Sequence, residues 1–331
     1  MFIGICFRDN CPSKISGEEM KFLRNPFFIL CFFTIFLFTS CVTVTETIQE
    51  VYDTIHASDY QVFKDLPYGD EINQNFDIYL PIVESNEEMN LIVLVHGGSW
   101  ISGDKSDFGY FAQWIMTNLD NTIVSSINYR FLDDDVSFIN ILDDVNSSVN
   151  KSVEFAQSKN FKLKNMAMGG SSSGGQISLM YCYTNTDRSP LPIKFCLALS
   201  SPTDLEDTFY QEIVTNKKLT ILDLLNVQER KFEIVEKLLG EDNLGDAVTK
   251  LPQISPVNYV SPKTVPTIVA HGEEDNIVPL SNSLYLVESL SENEVSYDFK
   301  LFKGVKHHLR ENKSADSWIK ETLIKYSQKY F

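Results

Sequence analysis

The chain has 331 residues, 43% hydrophobic and 22% charged, ordinary values for a folded protein and enough for one large α/β domain or two small ones. A formal charge of −17 and a pI near 4.7 argue against nucleic acid as a partner, because phosphate backbones are held by clustered Lys and Arg that this sequence lacks. The same acidity repels anionic lipid head groups, so any membrane attachment must rest on something other than charge.

Residues 1–40 carry such a feature. Lys21 and Arg24 precede an apolar run from Phe27 to Phe38, and the small pair Thr39-Ser40 follows, then Cys41. Basic flank, short apolar run and small residues are the three parts of an export signal, and the run is shorter than the ~20 residues a membrane span needs. With Cys41 directly after Leu37-Phe38-Thr39-Ser40, the segment resembles a bacterial lipoprotein signal, although such signals carry an aliphatic residue where Phe38 stands. The resemblance implies that Cys41 is lipidated, becomes the mature N-terminus and anchors the protein at the bacterial cell envelope. A plain signal peptide or an uncleaved anchor, giving a secreted or periplasmic protein, is the alternative. Residues 1–19 have no signal character, so Met20 is expected to be the start. Beyond the leader only Cys182 and Cys196 remain, too few for a disulfide scaffold and without metal-ligand spacing. They are expected as buried thiols, with a single bridge as the other option.

Residues 41–59, with Thr43-Val44-Thr45-Glu46-Thr47 and little periodicity, read as a tether, and residues 60–331 as one catalytic domain. Tyr60–Phe63 and Phe76–Pro81 alternate like antiparallel edge strands around a turn at Gly69-Asp70. Leu91–Val95, Thr122–Ile127, Asn165–Met168, Ile193–Leu199 and Thr267–Ala270 are short apolar runs, as buried parallel strands are. Helical patterns lie at Phe108–Leu119, at Phe138–Ser158 and at Gly174–Thr184. This β-α-β-α order predicts a mostly parallel sheet with helices on both faces. From about 203 to 262 the rhythm breaks into helical patterns, including Lys218–Val227 and Lys231–Leu239. An insertion of that length predicts a small helical cap over the carboxyl ends of the strands. The strand Val295–Phe302 and an amphipathic helix, Asp316–Tyr330, close the chain.

Gly170-Ser171-Ser172-Ser173-Gly174 follows a strand and precedes a helix, the context in which G-x-S-x-G exposes a nucleophile. Only Ser172 has Gly at both −2 and +2, which sets the register. His96-Gly97-Gly98-Ser99-Trp100, directly after Leu91–Val95, suits an oxyanion hole, since glycines turn backbone N–H groups towards a developing negative charge. The donors are expected from Gly97 or Gly98 together with Ser173, and His96 as a structural imidazole fixing the loop. Of the five histidines, His56 lies in the tether, His96 in the glycine loop and His271 at a strand end, leaving His307 and His308 for the base. The acid should follow the preceding strand, where Asp275 stands, with Glu273, Glu274 and Asp204 as rivals.

From about Tyr60 to Phe331 the chain resembles the esterase branch of the α/β-hydrolases that carries an HGG-x-W motif, including hormone-sensitive-lipase-like, acetyl-xylan-esterase-like and kynurenine-formamidase-like enzymes. The residues that carry the resemblance are His96–Trp100, Asn128-Tyr129-Arg130, Asp143-Asp144, Gly170–Gly175, Ser255-Pro256, Tyr259–Pro262 and His271-Gly272 through Asp275 to Pro279. Ser99 stands where many members have Gly or Ala, and His308 where Gly usually follows the base. Gly304 to His307 reproduces the G-x-x-H spacing of those enzymes, which aims His307 inwards and leaves His308 at the rim.

The resemblance implies an α/β-hydrolase fold and a serine carboxylesterase with the triad Ser172, Asp275 and His307, needing no metal or cofactor. Short-chain or carbohydrate-linked acyl esters are the expected substrates. The rivals are an amidase, peptidase or arylformamidase with the same triad, and a binding protein on an inactive hydrolase fold.

Overall fold

The computed structural model describes residues 60–82, 87–208, 233–241 and 244–331; the leader, Cys41, the tether and the helix expected at Lys218–Val227 lie outside them. Eight strands form one sheet: β1 Tyr60–Pro67, β2 Asn75–Pro81, β3 Met89–Val95, β4 Thr122–Ile127, β5 Leu163–Ser171, β6 Ile193–Leu199, β7 Thr267–Gly272 and β8 Tyr297–Phe302. Their order is β1-β2-β4-β3-β5-β6-β7-β8. β1 pairs antiparallel with β2, and β2 antiparallel with β4. Every other pair is parallel.

Strand β3 shows why these segments are strands. Leu91, Val93 and Val95 enter one core and Ile92 and Leu94 the other, so the period of two serves two hydrophobic faces and leaves no polar side. One face is covered by α2 Phe138–Ser158, α3 Ser173–Thr184 and α5 Leu280–Glu292; the other by α1 Gly109–Asn118 and α6 Lys313–Tyr330. Helix α2 buries Ile141, Val145, Val149 and Val153 along one stripe. Cys182 and Cys196 are buried and unbridged.

Several elements differ from expectation, among them β1, which runs on past Phe63 to Pro67. The helix expected from Phe108 is preceded by a tight turn, Lys105–Phe108, capped by Asp104, and α1 itself starts at Gly109. β5 continues past Met168 through Gly169 and Gly170 to Ser171. Helix α5 was not anticipated at all. Within the insertion, residues 233–239 are helical, α4 spans Leu244–Lys250, and two tight turns follow at Leu251–Ile254 and Pro256–Tyr259. Val235, Leu238, Leu251 and Ile254 belong to the core on the α2 and α3 face.

The strand order places the site. Chain progression runs from β3 outward to β4, then crosses back to β5 on the other side of β3. The loops leaving β3 and β5 therefore diverge at the carboxyl edge of the sheet, where open α/β sheets have their crevice.

Candidate active site

Ser172 is the single residue between the end of β5 and the first residue of α3. Its backbone is left-handed, φ 56° and ψ −129°, a conformation that costs a non-glycine residue ~1–3 kcal/mol and persists only when the surroundings impose it. Here they do. The Ser172 N–H donates to the Leu199 carbonyl at 2.8 Å, tying the turn to the end of β6. A Cβ at Gly174 would run into the Val95 and His96 carbonyls, and one at Gly170 into the Gly174 backbone and the Val95 carbonyl, so only glycines let the turn seat on the end of β3. The Ser172 side chain opens into a cleft of about 520 Å³, walled by the loops after β3, β5, β7 and β8.

The loop after β3 holds three consecutive left-handed residues, Gly98 (φ 121°), Ser99 (φ 54°) and Trp100 (φ 64°). The Gly98 carbonyl accepts from the Ile101 and Ser102 amides at 3.1 and 3.0 Å and from the Ser102 hydroxyl at 2.9 Å. Trp100 Nε1 donates to Gln176 Oε1 at 2.9 Å, and Gln176 in turn to the Ile254 carbonyl at 2.7 Å, so the loop is pinned to α3 and to the insertion. His96 is fully buried and stacks on Tyr129 at 4.4 Å. Its Nδ1–H donates to the Gly97 carbonyl at 2.7 Å, and burial lowers its pKa, keeping the ring neutral. That is the loop-fixing part expected of it. Gly97 and Gly98 line the cleft beside Ser172, a Cβ added to Gly97 falling 3.1 Å from that of Ser172, and the Ser173 amide, first of α3, is one of those a helix leaves without an intrahelical acceptor.

Asp275 sits in the loop between β7 and α5 with its side chain fully buried. Oδ1 accepts from the Ile277 and Val278 amides at 2.9 and 3.0 Å, and Oδ2 from His307 Nδ1 at 2.8 Å. Burial pushes this carboxyl up, but the hydrogen bond and charge of His307 and the two amides outweigh it and hold the group below its ordinary value. Behind it His271, fully buried, donates from Nε2 to the Val278 carbonyl at 3.1 Å and accepts from the Ser283 hydroxyl at 2.7 Å on Nδ1. Burial lowers the His271 pKa as well.

The rivals stand elsewhere. Glu273 and Glu274 are exposed, and Asp204 accepts from the Asp207 amide at 3.1 Å as a local cap. The left-handed Gly304 (φ 67°) turns the chain so that His307 is buried while the adjacent His308 stays exposed at the rim, the two rings 5.4 Å apart. The structure thus brings Ser172, His307, Gly97 and Gly98 to one cleft and Asp275 to the back of His307. Arg130 and Asp144 instead form a bidentate pair, with Nε to Oδ2 at 2.9 Å and Nη2 to Oδ1 at 2.8 Å, that fixes the loop after β4.

Cleft residues that the sequence did not signal include Asp107, Phe108, Arg310 and Glu311. Among the described residues no group of three or more His, Cys, Asp or Glu is arranged to hold a metal ion.

Solved structures share this architecture at low identity. Esterase B from Lactobacillus rhamnosis, in an inhibited form, is 16% identical with a TM-score of 0.65, the match covering 88% of this chain and 96% of that one. A truncated carbohydrate esterase from gut microbiota is 16% identical with a TM-score of 0.64, over 82% and 98% of the two chains. Carboxyl esterase 2 from the mycorrhizal fungus Tuber melanosporum is 18% identical with a TM-score of 0.62, over 83% and 87%. At such identities the likeness is one of fold, the α/β-hydrolase fold. A search of curated proteins gives no match. The BD-FAE family model matches residues 76–290, well over half of the sequence, taking in Ser172 and Asp275 and ending before His307. The chain belongs to the BD-FAE family.

Proposed function

We propose that this protein is a serine carboxylesterase in which Ser172 is the nucleophile, His307 the general base and Asp275 its orienting acid. The observation that carries the reading is the 2.8 Å bond from His307 Nδ1 to a sealed Asp275, made at the wall of the cleft into which the strained Ser172 opens. Donation from Nδ1 leaves Nε2 as the basic nitrogen. His307 Nε2 takes the Ser172 proton as Oγ attacks the ester carbonyl, and the carbonyl oxygen, now anionic, rests on the amides of Gly97 or Gly98 and Ser173. The imidazolium hands its proton to the departing alcohol, leaving an acyl-serine that water, deprotonated by the same imidazole, cleaves to the acid. The finer reading is that short acyl groups on carbohydrate alcohols are the substrates, supported by the likeness to a carbohydrate esterase and by a cleft rich in polar side chains. The test is a fluorophosphonate probe with mass-spectrometric mapping, alongside 4-nitrophenyl acetate hydrolysis. Label on Ser172, with label and turnover both lost in Ser172→Ala, is expected. Absence of label on a folded wild type sinks the proposal, and turnover of anilides at rates rivalling esters turns it into an amidase.

The lipid anchor belongs to the same proposal. Its carrier is Cys41, which directly follows the basic flank at Lys21 and Arg24, the apolar run and the small pair Thr39-Ser40. Cys41→Ala is expected to lose incorporation of labelled palmitate and leave the membrane fraction; unchanged fractionation and migration would remove Cys41 from this role.

A further inference from the structure

Arg310 lies three residues after His307, in the tight turn Leu309–Glu311, and lines the same cleft as Ser172. Its guanidinium carbon is 4.2 Å from the centroid of the buried Phe108 ring, and Nη2 donates to the Asp107 carbonyl at 2.9 Å. Among the described residues that is its only hydrogen bond, and no carboxylate lies within ion-pairing reach of it. A guanidinium has five N–H donors, so most of them are unspent in a position that Phe108 and the Asp107 carbonyl hold still. Asp107 and Glu311, both exposed, line the same wall; Asp107 Oδ2 accepts from the Asp104 amide at 3.3 Å, which leaves Oδ1 to a ligand.

The direction of the wall follows from the chemistry. The imidazole that accepts the serine proton returns it to the leaving oxygen, so the alcohol half of an ester must lie on the His307 side of Ser172. Arg310 and Glu311 follow His307 by three and four residues and line the cleft with it, and Asp107 is joined to them through Arg310. Two carboxylates against one guanidinium leave the wall negative, which disfavours an alcohol carrying its own carboxylate. A polyol suits the set, since its hydroxyls donate to Asp107 and Glu311 and accept from Arg310.

We propose that Arg310, Asp107 and Glu311 form the subsite for the alcohol half of the ester and select a neutral polyhydroxylated leaving group. The inference rests on the esterase reading above. Its test uses three acetate esters that differ only in the alcohol: a neutral methyl glycoside, the corresponding methyl uronate glycoside with its carboxylate free, and 4-nitrophenol. In Arg310→Gln, kcat/KM on the neutral glycoside acetate should fall ~10–100-fold, mainly through KM, as expected for lost hydrogen bonds to a charged group. The loss on 4-nitrophenyl acetate should be at least about tenfold smaller. The exposed Glu311→Gln should repeat the pattern at lower amplitude and, with thermal melts, guards against misfolding. Equal losses on both esters, a wild type that prefers the uronate, or one that cleaves only the nitrophenyl ester would overturn the subsite. A wild type that neither takes the fluorophosphonate nor cleaves any of the three would instead overturn the esterase reading itself.

Discussion

His307 and His308 are chemically identical neighbours given different environments by one backbone feature, the left-handed Gly304, and only His307 reaches a buried carboxylate. His307→Ala should therefore lower turnover of an activated ester by roughly three or more powers of ten, whereas His308→Ala should cost about tenfold or less. The pair is assayed on one ester with folding checked by thermal melt. A nearly active His307→Ala, or an inactive but folded His308→Ala, reverses the assignment. These residues were legible because their chemistry needs fixed spacing along the chain: Gly on both sides of Ser172, Gly three before His307, an acid after the preceding strand. Arg310 was not legible, because its partner carbonyl is 203 positions away and nothing local marks the contact.

At the level of elements the same logic separates what could be read from what could not. Parallel strands such as β3 feed two cores and appear as unbroken apolar runs, so their positions were clear. The end of β5 was not, since Gly169 and Gly170 carry no hydrophobic signal although they continue the pairing with β3 and β6. Helix α5 was hidden because its buried face mixes Asn282 and Ser283 with Leu286 and Leu290. Those polar residues have a structural use. Asn282 Oδ1 accepts from the amides of Thr203 and Asp204 at 2.7 and 2.8 Å and from the Thr208 hydroxyl at 2.9 Å, binding the segment after β6 to the helix that follows the Asp275 loop. Satisfaction of buried polar groups has replaced apolar periodicity here, and periodicity is what a sequence displays.

Over the whole molecule, two fully buried imidazoles make stability depend on pH. Burial lowers the pKa of His96 and of His271 below the ~6.5 of an unfolded chain, so the unfolded state binds protons there that the folded state refuses. Stability should fall as pH drops below ~6.5 and keep falling through the two lowered values. Asp275, whose carboxyl is held below its ordinary value, adds stability that is present above ~3.9 and lost as pH falls through its folded value. The melting temperature should thus decline steadily from pH 7 to 5 at fixed salt. In His271→Gln it should be lower at pH 7 but decline less steeply. A flat wild-type profile over that range, or an equal slope in the variant, contradicts this account.

The glycine contacts that seat the Ser172 turn against the end of β3 have a mechanical consequence. Nucleophile and oxyanion loop touch backbone to backbone and are pinned again through Trp100 and Gln176, so they form one fixed jaw that cannot adapt to a substrate without moving the sheet. The opposing jaw, residues 304–311, grips Asp275 through His307 and Asp107 through Arg310, both of them side-chain bonds. Adaptation to alcohols of different size must therefore come from that second jaw, and a search for altered selectivity has its room there and not among residues 96–103.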